Sequence, residues 1–197
     1  VAENAANGTV VGTVSATDQD AGETFTYALT DDAGGRFAID ANTGVVTIAD
    51  GTQLDYETAT SHDLTVRVTD SGGNTFDETM SVSVTNVNEA STDMAISAST
   101  VAENAANGTV VGTVSATDQD AGETFTYALT DNAGGRFAID ANTGVVTIAD
   151  GTLLDYETAT SHNLTIRVTD SGGNTYNETM AIAVTNVNET PTDLSLN

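Results

Sequence analysis

Phe37-Ala38-Ile39-Asp40-Ala41-Asn42-Thr43-Gly44-Val45-Val46-Thr47-Ile48 is the stretch that decides the fold class. Two short runs rich in β-branched and aromatic residues flank Ala41-Asn42-Thr43-Gly44, and the glycine accepts the positive φ that closes a tight hairpin. Outward from it, no run has the period of an amphipathic helix, whereas short alternating runs recur with turn signals between them. Thr9–Ala16 reads as a strand, followed by the acidic turn Thr17–Gly22. In Thr24–Leu29 a period of two puts Phe25, Tyr27 and Leu29 on one face. Leu64–Asp70 alternates with Leu64, Val66 and Val68 inward; Ser71–Asn74 turns the chain, and Thr79–Val84 returns. With Met94–Ser97 the count reaches about seven strands in about 100 residues, which predicts an all-β, immunoglobulin-like sandwich of two antiparallel sheets.

The hairpin recurs unchanged at 137–148, and so does nearly everything around it. Residues 1–89 reappear at 101–189 without a gap and with nine differences. A period of that size is an independently folding domain, so the 197 residues divide into two tandem domains. The boundaries expected are 1–89 and 90–189, with 190–197 opening a third repeat: Pro191–Asn197 corresponds to the lead-in Ser91–Ser97 of the second copy. The first copy, beginning at Val1, has no such lead-in, and the chain reads as an interior piece of something longer.

Charge sets the limits on function. Against 29 acidic residues stand 4 basic ones, a net charge of -25. Such a surface offers no basic patch to phosphate, which excludes nucleic acid and anionic lipid as partners. Self-repulsion of this size opposes compaction unless divalent cations relieve it. Cysteine is absent, so disulfides and thiolate metal sites are excluded. No apolar run is long enough for a membrane span, and nothing at the N-terminus resembles a signal peptide.

The acidic residues gather at strand ends: Glu3; Asp18 and Asp20; Asp55 and Glu57; Asp70; and Asn88 with Glu89 between the copies. A hard cation such as Ca²⁺ takes about six to eight oxygens, so several such loops must converge on one ion. His62 and His162 each stand alone at a strand start, which argues against a transition-metal site and for a surface position. Ser61, His62 and Asp63 adjoin in sequence, but strand neighbours face opposite ways, so they form no triad and no enzyme is expected. Tyr56 and Tyr156 read as packing residues.

Five motifs, in order and in both copies, resemble the cadherin repeat, and more closely its bacterial relatives in large surface adhesins. Val-Ala-Glu-Asn at 1–4 and 101–104 is similar to the family's Pro-Glu-Asn; Asp-Gln-Asp at 18–20 and 118–120 to Asp-x-Asp; Leu-Asp-Tyr-Glu at 54–57 and 154–157 to Leu-Asp-Arg-Glu. Phe37–Gly44 matches the family hairpin, and Val68-Thr69-Asp70 its late acidic position. The resemblance implies cadherin-like sandwiches joined by a short calcium-binding linker, with about three Ca²⁺ ions in a complete junction. It assigns Glu3, Asp55, Glu57, Val87, Asn88, Glu89, Ala90, Asp118, Asp120 and Asp170 to that junction. Asp18, Asp20 and Asp70 form an upper half-site, and Glu103, Asp155, Glu157, Asn188 and Glu189 a lower one. The linker Asn86-Val87-Asn88-Glu89-Ala90-Ser91 departs from the family's Asp-x-Asn-Asp-Asn-x-Pro: Glu89 stands for the bridging Asp, and Ala90 offers a backbone carbonyl in place of Asn.

The function implied is a calcium-rigidified extracellular spacer of a long adhesin or fibre, at the cell surface or secreted, whose partners are adjacent repeats. Two alternatives stand beside it. One is an adhesive module binding like repeats or polysaccharide; having no Trp, it would not adhere by exchanging one. The other is a head-to-tail filament, in which Leu194–Asn197 adds to the first repeat of a like chain as its lead-in strand.

Overall fold

The computed structural model describes residues 1–191, so most of the expected lead-in Pro191–Asn197 lies outside the described residues. The chain forms two compact units, Val1–Val87 and one that begins at Asn88.

In the first unit, β1 (Val10–Thr13), β4 (Val45–Ile48) and β3 (Phe37–Ile39) form one sheet in that order. The other is β2 (Thr26–Asp31), β5 (Ser61–Thr69) and β6 (Thr75–Ser83). The pairings within these two sheets are antiparallel, and an isolated parallel bridge joins Ala2 to Thr85. The hairpin forms as the sequence predicts, with Phe37 opposite Ile48 and Ile39 opposite Val46. Gly44 has φ 68°, and a Cβ there would lie 2.3 Å from the Val14 carbonyl oxygen, so conformation and space both require glycine. Tyr27, Phe37, Val46, Ile48, Leu54, Leu64, Val66 and Val84 are the buried core, each large aliphatic or aromatic side chain contributing about 1.5–3 kcal/mol of transfer free energy.

The second unit has two four-stranded sheets. One orders β10 (Thr126–Asp131), β13 (Ser161–Thr169), β14 (Thr175–Thr185) and β8 (Thr100–Ala102). The other orders β11 (Phe137–Ile139), β12 (Val145–Ile148), β9 (Val110–Thr117) and β7 (Asp93–Ile96). The β8–β14 pairing is parallel, Ala102 lying opposite Thr185. β8 has only three residues, too few for alternation to show in sequence.

Two expectations change. The strand expected at Thr9–Ala16 ends at Thr13 in the first unit but its counterpart continues to Thr117 in the second, where β7 supplies backbone partners. His62 is half-buried rather than on the surface, because it shares the inward face of β5 with Leu64 and Val66. Its ring centroid is 6.4 Å from that of Phe37, and its Nε2 is buried without a hydrogen-bond partner. His162 repeats this against Phe137. Tyr56 and Tyr156 pack against the cores. No helix among the described residues is long and apolar enough to cross a membrane.

Candidate metal centre

At one pole of the second unit three glutamates converge. Glu103 follows β8, and its N–H donates to the Thr185 carbonyl at 3.0 Å, extending the parallel ladder to the end of β14. Its side chain is 3% exposed: Oε1 accepts the Val187 N–H at 2.7 Å and Oε2 the Tyr156 N–H at 2.9 Å. Glu157 accepts the Asn186 side-chain amide at 2.7 Å, and Glu189 accepts that of Asn104 at 3.4 Å. The carboxylate oxygens of Glu103, Glu157 and Glu189 lie within 4.8 Å of one another.

The electrostatics of this pole are lopsided. Backbone hydrogen bonds from Val187 and Tyr156 hold the Glu103 pKa below its ordinary value. Burial, then the charges of Glu103 and Glu157, push that of Glu189 up. Among the described residues the one ion pair is Arg67–Asp77 on β5 and β6, so no basic side chain neutralises the glutamates. Asp155 accepts the Thr158 N–H and hydroxyl at 3.1 and 2.7 Å, so it caps its own turn as well as standing beside the cluster. Asn188 is exposed, and its amide donates to the Glu189 carbonyl at 3.4 Å.

The first unit repeats the arrangement. Glu3, 2% exposed, accepts the Val87 and Tyr56 N–H groups, each at 2.7 Å. Asn86 donates to Glu57 at 3.2 Å, and Asp55 caps the turn through the Thr58 hydroxyl at 2.7 Å.

The opposite pole of the second unit holds that unit's own first residues. The Asn88 side-chain amide donates to Asp170 Oδ2 at 3.0 Å, and the Glu89 N–H to Asp120 Oδ2 at 2.9 Å. Asp118 Oδ2 accepts the buried Ser91 hydroxyl at 2.9 Å, and its Oδ1 the Asp120 N–H at 3.1 Å. Asn174 spans the gap: its amide donates to the Asn88 carbonyl at 2.9 Å and the Glu89 carbonyl at 3.3 Å. Asp120 and Asp170 are 8% and 7% exposed. Burial works against the Asp170 carboxylate, but hydrogen bonds from Asn174 and Asn88 outweigh it and its pKa is lowered. Ala90 is exposed.

The equivalent loops of the first unit are folded on themselves. Asp70 takes both its side-chain bonds from Asn74, each at 2.8 Å, and Asp18 Oδ1 accepts the Asp20 N–H at 3.0 Å; Asp18 and Asp20 are exposed. Asn174, Ser91 and Gly172 are the site residues that the acidic pattern did not reveal. The signal for Asn174 was present as an Asn four residues after the late Asp in both copies.

Donor chemistry tests which cation these poles fit. Every candidate ligand is a carboxylate, amide or carbonyl oxygen, the set that suits Ca²⁺ or Mg²⁺ and not zinc or copper. Oxygens about 2.4 Å from one Ca²⁺ are at most about 4.8 Å apart, which the three glutamates satisfy. Most carboxylates here accept two or three hydrogen bonds where about four lone-pair sites exist, so coordination capacity remains.

The cadherin domain family model matches residues 1–85 and 97–188. Mouse Protocadherin Fat 4 is 37% identical over 176 residues, covering 85% of this chain and 4% of that protein. The Drosophila melanogaster protocadherin-like wing polarity protein stan is 36% identical over 202 residues, 96% of this chain and 6% of its own length. The crystal structure of Drosophila N-cadherin EC1-4 matches with a TM-score of 0.74 at 22% identity, covering 92% of this chain and 46% of that one, a likeness of fold. The chain thus spans only about a twentieth of the two relatives and less than half of that solved chain.

Proposed function

The chain belongs to the cadherin domain family, and from that premise we propose that it is a calcium-stiffened spacer within a longer extracellular adhesion protein. Cadherin repeats are binding and structural units, not enzymes, and the chain is a tandem pair of them.

The observation that carries the reading is the Glu103–Glu157–Glu189 group, because its third member comes from the stretch that leaves the repeat. A cation held there ties the outgoing linker to the domain. At the other pole, Asp118, Asp120 and Asp170 grip the incoming linker through Ser91, Glu89 and Asn88. A repeat that holds both its linkers through cation ligands transmits stiffness along a string of repeats.

For the central junction we propose Glu3, Asp55, Glu57, Val87, Asn88, Glu89, Ala90, Asp118, Asp120 and Asp170 as ligands of about three Ca²⁺ ions. Glu3, Asp55, Glu57, Glu89, Asp118, Asp120 and Asp170 supply seven negative charges, and three such ions would nearly cancel them. Asp18, Asp20 and Asp70 are proposed as an upper half-site, and Glu103, Asp155, Glu157, Asn188 and Glu189 as a lower one. Small-angle scattering with calcium and then with chelator tests the spacer: the maximum dimension and its spread change on chelation, and an unchanged profile rejects it. Glu89→Ala abolishes that calcium response while both domains stay folded.

The adhesive alternative, binding of like repeats or polysaccharide, is supported by family membership alone. Placement in a bacterial adhesin rests on the motif resemblance alone, and the animal relatives lend it no support. Assembly of like chains head to tail by strand addition is the third reading.

A further inference from the structure

The chain contains two Asn-Gly pairs, Asn7-Gly8 and Asn107-Gly108, and two Asp-Gly pairs, Asp50-Gly51 and Asp150-Gly151. Such dipeptides are the most open to backbone cyclisation, because glycine sets no side chain beside its nitrogen and lets the chain bend freely. In that reaction hydroxide takes the proton of the glycine nitrogen, which attacks Cγ of the preceding residue. The new C–N bond closes a succinimide ring, and ammonia leaves from Asn or water from Asp. Water then opens the ring at either carbonyl, giving aspartate or isoaspartate, the latter with an extra methylene in the main chain.

The fold joins the four pairs two by two. In the second unit Asn107 Oδ1 accepts the Gly151 N–H at 2.9 Å, and the Gly108 N–H donates to the Ile148 carbonyl at 2.8 Å. Both nitrogens that would attack are therefore engaged elsewhere. The side chains that would be attacked are held too: the Asn107 carboxamide on Gly151, and Asp150 Oδ1 on the Thr152 N–H at 3.0 Å and hydroxyl at 2.6 Å. The first unit repeats this, with Asn7 Oδ1 on the Gly51 N–H at 2.9 Å, the Gly8 N–H on the Ile48 carbonyl at 2.7 Å, and Asp50 Oδ1 on the Thr52 N–H and hydroxyl at 3.1 and 2.7 Å. Burial does not protect Asn107 and Gly108, which are exposed to the water and hydroxide the reaction consumes. Neither glycine is dispensable. Gly108 has φ 85°, and Gly151 is buried where a Cβ would collide with the Ala105 carbonyl oxygen.

We propose that the contacts Asn107–Gly151 and Asn7–Gly51 are latches that suppress succinimide formation, and that the four pairs they hold are sites of isoaspartate modification when a latch opens. One contact serves two pairs. It takes the Gly151 N–H away from Asp150 and, by the same hydrogen bond, fixes the carboxamide of Asn107. Opening it frees a nucleophile at one pair and an electrophile at the other. The fold thus keeps glycines that its turns and packing require while withholding the chemistry that Asn-Gly and Asp-Gly invite.

The test holds the full chain in mildly alkaline buffer with calcium and follows isoaspartate at positions 7, 50, 107 and 150 by peptide mapping and mass spectrometry. In the folded parent, Asn107 deamidates at least about tenfold more slowly than in guanidinium chloride, the scale of an N–H that must first be released. Asn107→Ala removes the acceptor from Gly151, so isoaspartate at Asp150 forms about tenfold faster. Asp50, whose latch is intact, keeps the parent rate and serves as the control within the same molecule. Asn107→Asp, whose carboxylate still accepts the Gly151 N–H, keeps Asp150 slow. Amide hydrogen exchange in β13 and β14 reports whether the second unit of each variant is folded. Equal rates at Asn107 in folded and denatured parent overturn the latch, and so does an Asp150 rate unmoved by Asn107→Ala in a folded unit or matched by an equal rise at Asp50. If Asn107→Ala unfolds the second unit, the parent comparison and Asn107→Asp decide, and fast isomerisation at Asp150 in folded Asn107→Asp overturns the proposal.

Discussion

Asn88 donates its side-chain amide to Asp170 Oδ2 at 3.0 Å across the face of Gly172, where a Cβ would lie 2.1 Å from Asn88 Oδ1. The glycine is therefore a seat for the linker. The seat exists because Asn174 turns its amide to the Asn88 and Glu89 carbonyls, leaving Asp170 Oδ2 to Asn88. In the first unit Asn74 keeps both Asp70 oxygens, and a Cβ on Gly72 would meet that aspartate at 3.3 Å.

Gly172→Ala should therefore unseat Asn88, and Gly72→Ala should not affect the linker. The expected result is a loss of calcium affinity of about tenfold or more for Gly172→Ala, the scale of a misplaced ligand-supporting group. Gly72→Ala should fall within about 0.5 kcal/mol of the parent in stability, as surface changes do. Calcium titration by calorimetry and urea unfolding of both variants provide the check; equal affinities for the two would remove Asn88 from the site.

Glu103 and Glu189 should separate structure from binding. Glu103 is buried and accepts the Val187 and Tyr156 N–H groups, so Glu103→Ala leaves two donors short of a partner, each worth about 1–3 kcal/mol when buried. Glu189 is exposed and repelled by its neighbours. Glu189→Ala should leave the metal-free protein as stable as the parent, or more so, while weakening calcium binding. Denaturation in chelator distinguishes the two; comparable destabilisation by both would contradict the division of roles.

The architecture was legible where local chemistry was sufficient. Leu64, Val66 and Val68 announced β5, and Gly44 announced the hairpin, because period and turn are properties of a few adjacent residues. The different lengths of β1 and β9 were not legible, since identical residues cannot encode which partner strand lies alongside. The alternation that places Leu64 inward also places His62 inward, a consequence that its polar character masked. At the metal poles the acidic residues stood out by type and spacing. Asn174 and Ser91 did not, because a hydrogen-bonding residue that orients a ligand carries no charge signature.

The two histidines predict a pH dependence. Burial, and then Arg36 or Arg136, lowers the pKa of His62 and His162 below the ordinary 6.5. As pH falls, the unfolded imidazoles take up protons before the folded ones do, so protons favour unfolding. This contribution is full above about pH 6.5 and is lost as pH drops through the depressed folded values. Urea midpoints in chelator should therefore decline from pH 7.5 to pH 5. The double variant His62→Gln/His162→Gln should flatten that slope even where it lowers the starting stability. A parent-like slope in the variant would place the proton uptake elsewhere.

Calcium and ordinary salt should act on the same repulsion by different routes. The chain carries a net charge of -25, and the charges of Glu103 and Glu157, after burial, raise the Glu189 pKa. The screening length falls from about 30 Å at 0.01 M to about 3 Å at 1 M, so added sodium chloride weakens these repulsions without filling a site. In chelator, raising sodium chloride from 0.01 to 0.5 M should raise the melting temperature by several degrees. In saturating calcium the ligand charges are neutralised locally, and salt has less repulsion left to relieve and competes with ion binding. The same step should then change the melting temperature little or lower it. A salt response of equal size and sign in both conditions would show that the repulsion is spread over the surface and does not reside at the linker poles.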